Sequence, residues 1–309
     1  MDFATQVAKD WRAAPLEPAD VAMLEFGEKL TLTPFLMSES DVVTLRGHGF
    51  NDRDIISIIL AAAYRNYIVR VADALGVELN HTVEYPPEFV AAFGVKADEA
   101  STTLYADRQT APASVNAAVK RVDGPVAKAH NRMCWLDDAS AAPGNEVGAL
   151  AHLSRAFAER RDALEVTGEF LRLVDFGGSG LGERMESLLG WTAAQVLYGR
   201  YMGTHHAARL LKEGIAEDDL RGGLEALDRD RLSPAEAAAV GFAEQLTRTP
   251  AAMAKTDVAL LRSGGLSDAE VVTIAADVAV QNFVGRVVSA VGLKIEPALE
   301  PLADRLFPE

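Results

Sequence analysis

Apolar and polar positions along residues 16–80 follow a helical period, and capping and breaking residues cut the pattern into three pieces. Pro18 stands in a first turn, where a missing N–H costs nothing, and the Leu30-Thr31-Leu32-Thr33-Pro34 stretch closes the first piece. Ser40-Asp41 caps a short second helix that ends at Gly49. Asn51-Asp52 opens a third, on which Ile55, Ile58, Ile59, Ala62 and Ala63 share the face expected to meet a core. The same punctuation returns late in the chain. Pro234 opens a helix that Thr249-Pro250 stops, because the ring disfavours helical geometry in the residue before it. Thr256-Asp257 caps the next, which ends in Gly264-Gly265, and Ser267-Asp268 opens the last. No hairpin dipeptide separates two alternating runs, so the pattern predicts an all-α fold.

Sliding the chain against itself by 216 residues aligns these pieces without a gap. Leu16 meets Leu232, Phe26 meets Phe242, Glu28 meets Glu244, Asp41-Val42 meets Asp257-Val258, and Leu45-Arg46 meets Leu261-Arg262. Asn66, Arg70, Ala74 and Gly76 meet Asn282, Arg286, Ala290 and Gly292. Roughly a third of about 65 aligned positions are identical, the mark of a duplicated unit covering residues 16–80 and 232–296. The duplication is partial, since the second copy alone is preceded by a long additional stretch.

Between the copies the pattern changes. Residues 81–142 carry Tyr85-Pro86-Pro87 and Thr110-Ala111-Pro112, with Ser140-Ala141-Ala142-Pro143-Gly144 at the end, a density of breakers that predicts a connector with short helices. Phe89, Phe93, Tyr105, Trp135 and Leu136 give it apolar anchors. Helical periodicity resumes from about residue 145 through Leu150, Leu153, Phe157, Leu164, Phe170 and Leu173. The Gly177-Gly178-Ser179-Gly180 stretch is expected to be a turn, because it lacks the lysine of a phosphate-binding loop and follows no strand. The expected organisation is therefore a partial helical repeat in 1–80, the connector in 81–142 and a helical module in 143–309.

Composition narrows the function classes. A net charge of −15 without clustered Lys or Arg argues against a nucleic-acid partner. No basic leader is legible and no run approaches the roughly 18 apolar residues that span a bilayer, so a cytoplasmic protein without a membrane partner is expected. Cys134 is the only cysteine, which leaves no internal disulfide and no thiolate cluster, and it reads as a small buried hydrophobe.

The candidate chemistry lies between the copies and leads into the second. Glu186 is followed after twelve residues by Tyr198, then by Tyr201 and His205 at the spacing of a Cys-x-x-Cys-x-x-x-His motif. A second register, one residue later, places Gly199, Met202 and His206 at those positions. With the Gly265–Val271 and Asn282–Val287 segments, these residues resemble the alkylhydroperoxidase D-like and carboxymuconolactone decarboxylase superfamily, over about residues 145–297. The peroxidase-related branch is the nearest in pattern, and Asn66-Tyr67-Ile68-Val69-Arg70-Val71 resembles its C-terminal helix. The resemblance implies a helical bundle of that type and an acid–base pair made by the glutamate and the histidine. Both thiols are missing, so dithiol peroxide reduction is excluded at this position.

What remains is proton transfer. A histidine both accepts and donates near neutrality, its ordinary pKa being about 6.5. Glu186 and His205 are the expected pair, with His206 the alternative, and Tyr198 and Tyr201 offer phenolic donors for an enolate or oxyanion. Gln281, Asn282 and Arg286 are candidates to hold a substrate carboxylate, although Asn66 and Arg70 recur in the first copy without a Glu/His partner, which suits helix packing equally. Adjacent histidines point about 100° apart on a helix and do not share an ion, so no metal is expected even with His130 and His152 elsewhere in the chain. The sequence thus supports two functions. One is a cofactor-free lyase or isomerase acting on a small organic acid, lactone or carbonyl compound; the other is a catalytically silent oligomerisation or small-molecule binding module. In both, a homodimer or other small closed oligomer is expected.

Overall fold

The computed structural model describes residues 3–77, 160–174 and 178–307; the expected connector at 81–142, with His130 and Cys134, and also His152, lies outside the described residues. Every regular element among the described residues is helical: α1 (Phe3–Asp10), α2 (Pro18–Leu32), α3 (Glu39–Gly47), α4 (Asp52–Leu75), α5 (Arg161–Val174), α6 (Glu183–Val196), α7 (Arg200–Lys212), α8 (Glu217–Arg221), α9 (Pro234–Arg248), α10 (Lys255–Ser263), α11 (Asp268–Val291) and α12 (Glu300–Leu306). Short 3₁₀ turns at Pro34–Leu36 and Pro250–Ala252 follow α2 and α9. The fold is all-α.

The aligned stretches fold into the same succession of elements at the same offset. Helix α2 corresponds to α9, α3 to α10, and α4 to α11, with matching lengths of 15, 9 and 24 residues. The punctuation explains why. Asn51 and Ser267 cap the long helices, each accepting from the backbone N–H of the third helical residue. Gly76 and Gly292 end them at φ 62° and 64°, a left-handed conformation costly for a side chain bearing Cβ.

The start of the short helix differs from its expected place. Its N-caps are Ser38 and Ala254 rather than Ser40 and Thr256. Asp41 and Asp257 sit one turn further on and accept from the backbone N–H of residues 38 and 254, each at 2.7 Å, so they close the turn from the inside.

Helices α4 and α11 pack against each other at the centre. Ile55, Ile56, Ile59 and Ala63 of α4 are buried, while Ile58 and Ala62 lie at the margin of that face. Helix α11 is covered on further sides by α5, α6 and α9 and is buried from Asp277 to Val291 without a break. Both helices are long and apolar enough by length and composition to cross a membrane, which corrects the expectation that no run would be. In α11 that composition serves a core position, 83% of its most apolar window being buried, against 33% in α4.

Candidate functional site

Helix α7 turns its candidate side chains in two directions. Tyr201 and His205, one turn apart, face the segment that follows α11, where Glu296 lies. The Tyr201 hydroxyl donates to Glu296 Oε1 at 2.6 Å, and His205 Nε2 lies 2.8 Å from Oε2 of the same carboxylate. A carboxylate only accepts, so Nε2 carries the proton in this bond. The two rings are 4.7 Å apart. Burial opposes the charge on Glu296, but the hydrogen bonds from His205 and Tyr201 prevail and bring its pKa down from 4.5 to about 2.

His206 turns the other way. Its ring sits against α6 at Gly190, where a Cβ would lie 2.2 Å from the ring atoms, so only glycine lets the two helices approach this closely. Its Nε2 bonds Gln281 Oε1 at 3.0 Å, and Gln281 Nε2 donates to Asp277 Oδ1 at 3.0 Å. All three side chains are buried.

Glu186, fully buried, lies one turn before Gly190 on α6, on the face that His206 covers. It accepts from the backbone N–H of Ser179 at 3.2 Å and from the Ser179 hydroxyl, and Arg209 stands 3.8 Å from its other oxygen. The expected Glu186–His205 pairing is thus replaced by Glu296–His205, because residues 205 and 206 point about 100° apart and it is 206 that meets the glutamate's helix. Glu186 instead secures the turn that leads into its own helix.

Two further expectations are corrected by geometry. Tyr198 does not share a helical turn with Tyr201: it precedes α7, has φ 52°, and lays its ring 4.9 Å from that of Phe35 in the first copy. Asn282 and Arg286 do not face the Tyr201 and His205 site either. Asn282 Nδ2 donates to Thr247 Oγ1 and to the Val278 carbonyl, both at 2.9 Å, while Arg286 donates to Asn282 Oδ1 at 2.9 Å and to the Thr31 carbonyl at 3.0 Å.

The first copy repeats this arrangement. Asn66 donates to Thr31 Oγ1 at 3.0 Å, and Arg70 donates to Asn66 Oδ1 at 2.9 Å and to the Thr247 carbonyl at 3.3 Å. Each buried guanidinium therefore caps the last-turn carbonyls of a helix in the other copy, where the peptide dipoles favour a cation. Burial lowers the Arg70 pKa to about 10, with Asp73 opposing, and burial together with the Arg70 charge holds Arg286 well below its ordinary range.

Glu296 was not among the residues singled out from the sequence. It stands after the Gly292 cap in irregular chain, where no periodicity marks it; the trace it leaves is that the aligned position in the first copy is Asn80. Ser179 was read only as part of a glycine-rich turn, and Arg209, one turn after His205 on α7, was not singled out. Among the described residues no group of three or more His, Cys, Asp and Glu is arranged to hold a metal ion. Comparison with protein-family models, with curated proteins and with solved structures finds no match.

Proposed function

We propose that this protein is a cofactor-free proton-transfer enzyme for a small organic acid, lactone or carbonyl compound, with His205 as its base. The observation that carries the reading is the single carboxylate of Glu296 held jointly by Tyr201 and His205. Glu296 fixes the ring tautomer and stabilises the imidazolium formed when Nδ1 takes a proton from carbon next to a carbonyl. Returning that proton to another atom gives an isomerisation; in a decarboxylation, loss of carbon dioxide from a β-oxo acid itself leaves the enolate, and the His205 imidazolium, protonated from water, delivers a proton to its carbon. The Tyr201 hydroxyl is engaged by Glu296, so it holds the carboxylate in place rather than meeting an oxyanion. The resemblance to the carboxymuconolactone decarboxylase superfamily agrees with the reaction class, although the glutamate paired with histidine here is Glu296 and not Glu186.

The test works whatever the product is. Incubation in D2O with a panel of small 2-oxo acids, lactones and enolisable ketones, followed by NMR, reads proton abstraction as deuterium gained at carbon. Exchange by the wild type should fall by a factor of about 10² to 10⁴ in His205→Ala, and should survive in a folded His206→Ala. Exchange undiminished in His205→Ala refutes the assignment.

A second reading, a binding or oligomerisation module, draws support from Tyr64, Ile68 and Val69, which are exposed together along α4. A folded wild type that exchanges nothing across the panel and is a closed oligomer by light scattering would favour it.

A further inference from the structure

Helices α3, α4, α6, α7, α10 and α11 end in one kind of turn, in which the backbone N–H that follows a left-handed residue donates to the carbonyl five residues back. The left-handed residue is Gly49, Gly76, Gly214, Gly265 or Gly292 in all of them but α6, where it is Tyr198 at φ 52°. Among the described residues Tyr198 is the one residue other than glycine with a positive φ. Glycine takes this conformation freely, whereas a bulky side chain is strained in it and stays only where its surroundings hold it. The Tyr198 ring lies 4.9 Å from that of Phe35. Phe35 departs from its own pattern too. It stands in the 3₁₀ turn after α2, and the aligned residue in the turn after α9 is Ala251, although Pro34 and Met37 are kept as Pro250 and Met253. Each turn packs on the long helix of the other copy, and the one at Phe35 meets the α6–α7 connection, which Leu197 seats against Gly285.

We propose that Phe35 is a positioning residue for the Tyr201, His205 and Glu296 site: it holds Tyr198 in the left-handed conformation, fixes where α7 begins, and so keeps His205 turned to Glu296. A shift of one residue at the start of α7 would turn the side chains after it by about 100°, enough to exchange the directions of His205 and His206. The first copy thereby acts on a site whose polar groups all stand outside it. Any effect on turnover rests on the reading of His205 as the base; the placement of its ring does not.

The experiment follows the Nε2 proton of His205 by NMR in protein labelled with ¹⁵N at histidine, the signal being assigned by its absence in His205→Ala. Phe35→Ala and Tyr198→Gly should each speed the exchange of this proton with water by about tenfold, because a segment less firmly held opens more often, while the backbone amides of α9 and α10 keep their rates. Tyr198→Phe, which keeps the ring, should retain the wild-type rate. The two effects should not add: Phe35→Ala should change nothing further in a Tyr198→Gly background, since both remove one contact. Unchanged exchange in folded Phe35→Ala overturns the proposal, and so do fully additive effects or an acceleration spread evenly over the protein. Should Phe35→Ala fail to fold, Tyr198→Gly decides, because glycine keeps the turn: faster exchange at His205 supports the positioning role, and an unchanged rate refutes it. A wild type that exchanges nothing at carbon would refute the base alone, since the Nε2 proton reports the placement of the ring without turnover.

Discussion

The two copies of the helical unit differ in what covers them, and the difference separates packing residues from candidate chemistry. Both keep the Asn–Arg–Thr junction, the capping pattern and the left-handed glycine at the end of the long helix. Helix α11 is clad by α6 and α7 with their connection, whereas the corresponding face of α4 is open at Tyr64, Ile68 and Val69. Gly285, in contact with Leu197, corresponds to the exposed Val69. Gln281, bonded to His206, corresponds to the exposed Arg65, and Asp277 to the exposed Ala61. Positions kept in both copies serve the joint between them. Among those that changed, Gln281 meets α7 and Gly285 meets the α6–α7 connection, and Glu296 in place of Asn80 meets α7 as well.

The largest effect is expected from breaking the joint on its two sides separately. Arg70→Ala should cost about 3–5 kcal/mol, since it leaves the buried Asp73 without its guanidinium neighbour and the Thr247 carbonyl without a donor. Arg286→Ala removes a cation that has no carboxylate of its own, and should cost less, about 2–3 kcal/mol from unpaired carbonyl and amide oxygens. Urea denaturation of both variants measures the gap. Equal costs would mean that the charge asymmetry between the copies has no energetic consequence.

A smaller effect should follow from exchanging one position between the copies. Gly285→Val places a side chain where even a Cβ comes within 2.9 Å of Leu197, and overpacking of this kind costs about 1–3 kcal/mol. The reverse change, Val69→Gly, loses only exposed surface and helix propensity, about 0.5 kcal/mol. Thermal unfolding of the two variants compares the covered face with the open one. A Val69→Gly cost as large as that of Gly285→Val would show that the α4 face is packed in solution.

These contrasts also mark how far the sequence could be followed. The helices and their order were legible because hydrophobic period, proline and caps are local signals, and helices of matching length stand 216 residues apart. The role of Asn282 and Arg286 was legible too, had the matched Asn66 and Arg70 been given full weight: a pair that recurs without the histidines beside it belongs to the joint. The partner of His205 was not legible. Whether residue 205 or 206 faces α6 depends on where α7 begins, and Tyr198, in its left-handed conformation, keeps the helix from starting until Arg200. Glu296 reaches the site from irregular chain, through a contact 91 residues away in sequence that no periodicity encodes.

The smallest effect concerns the carboxylate that only the second copy has at this position. Glu296 titrates near 2 when folded and near its ordinary 4.5 when unfolded, so it binds its proton less readily in the folded protein. A depressed carboxylate contributes stability that is fully present above the unfolded pKa and is lost as pH falls from about 4.5 toward about 2. Because the side chain keeps some contact with water, the contribution should be discounted to about 1 kcal/mol. Glu296→Gln should therefore be less stable than wild type by about that amount near neutrality, and the difference should shrink as the pH is lowered through this window. Urea denaturation at a series of pH values measures it. His205→Ala, which removes the first of the two hydrogen bonds lowering the carboxylate pKa, should raise the lower end of the window toward 4.5 and so narrow it, an effect that packing alone would not produce. A Glu296→Gln deficit that stays constant from neutral to acid pH would show that the Tyr201–Glu296–His205 cluster is joined by shape and not by charge, and would remove the electrostatic support proposed for His205 as a base.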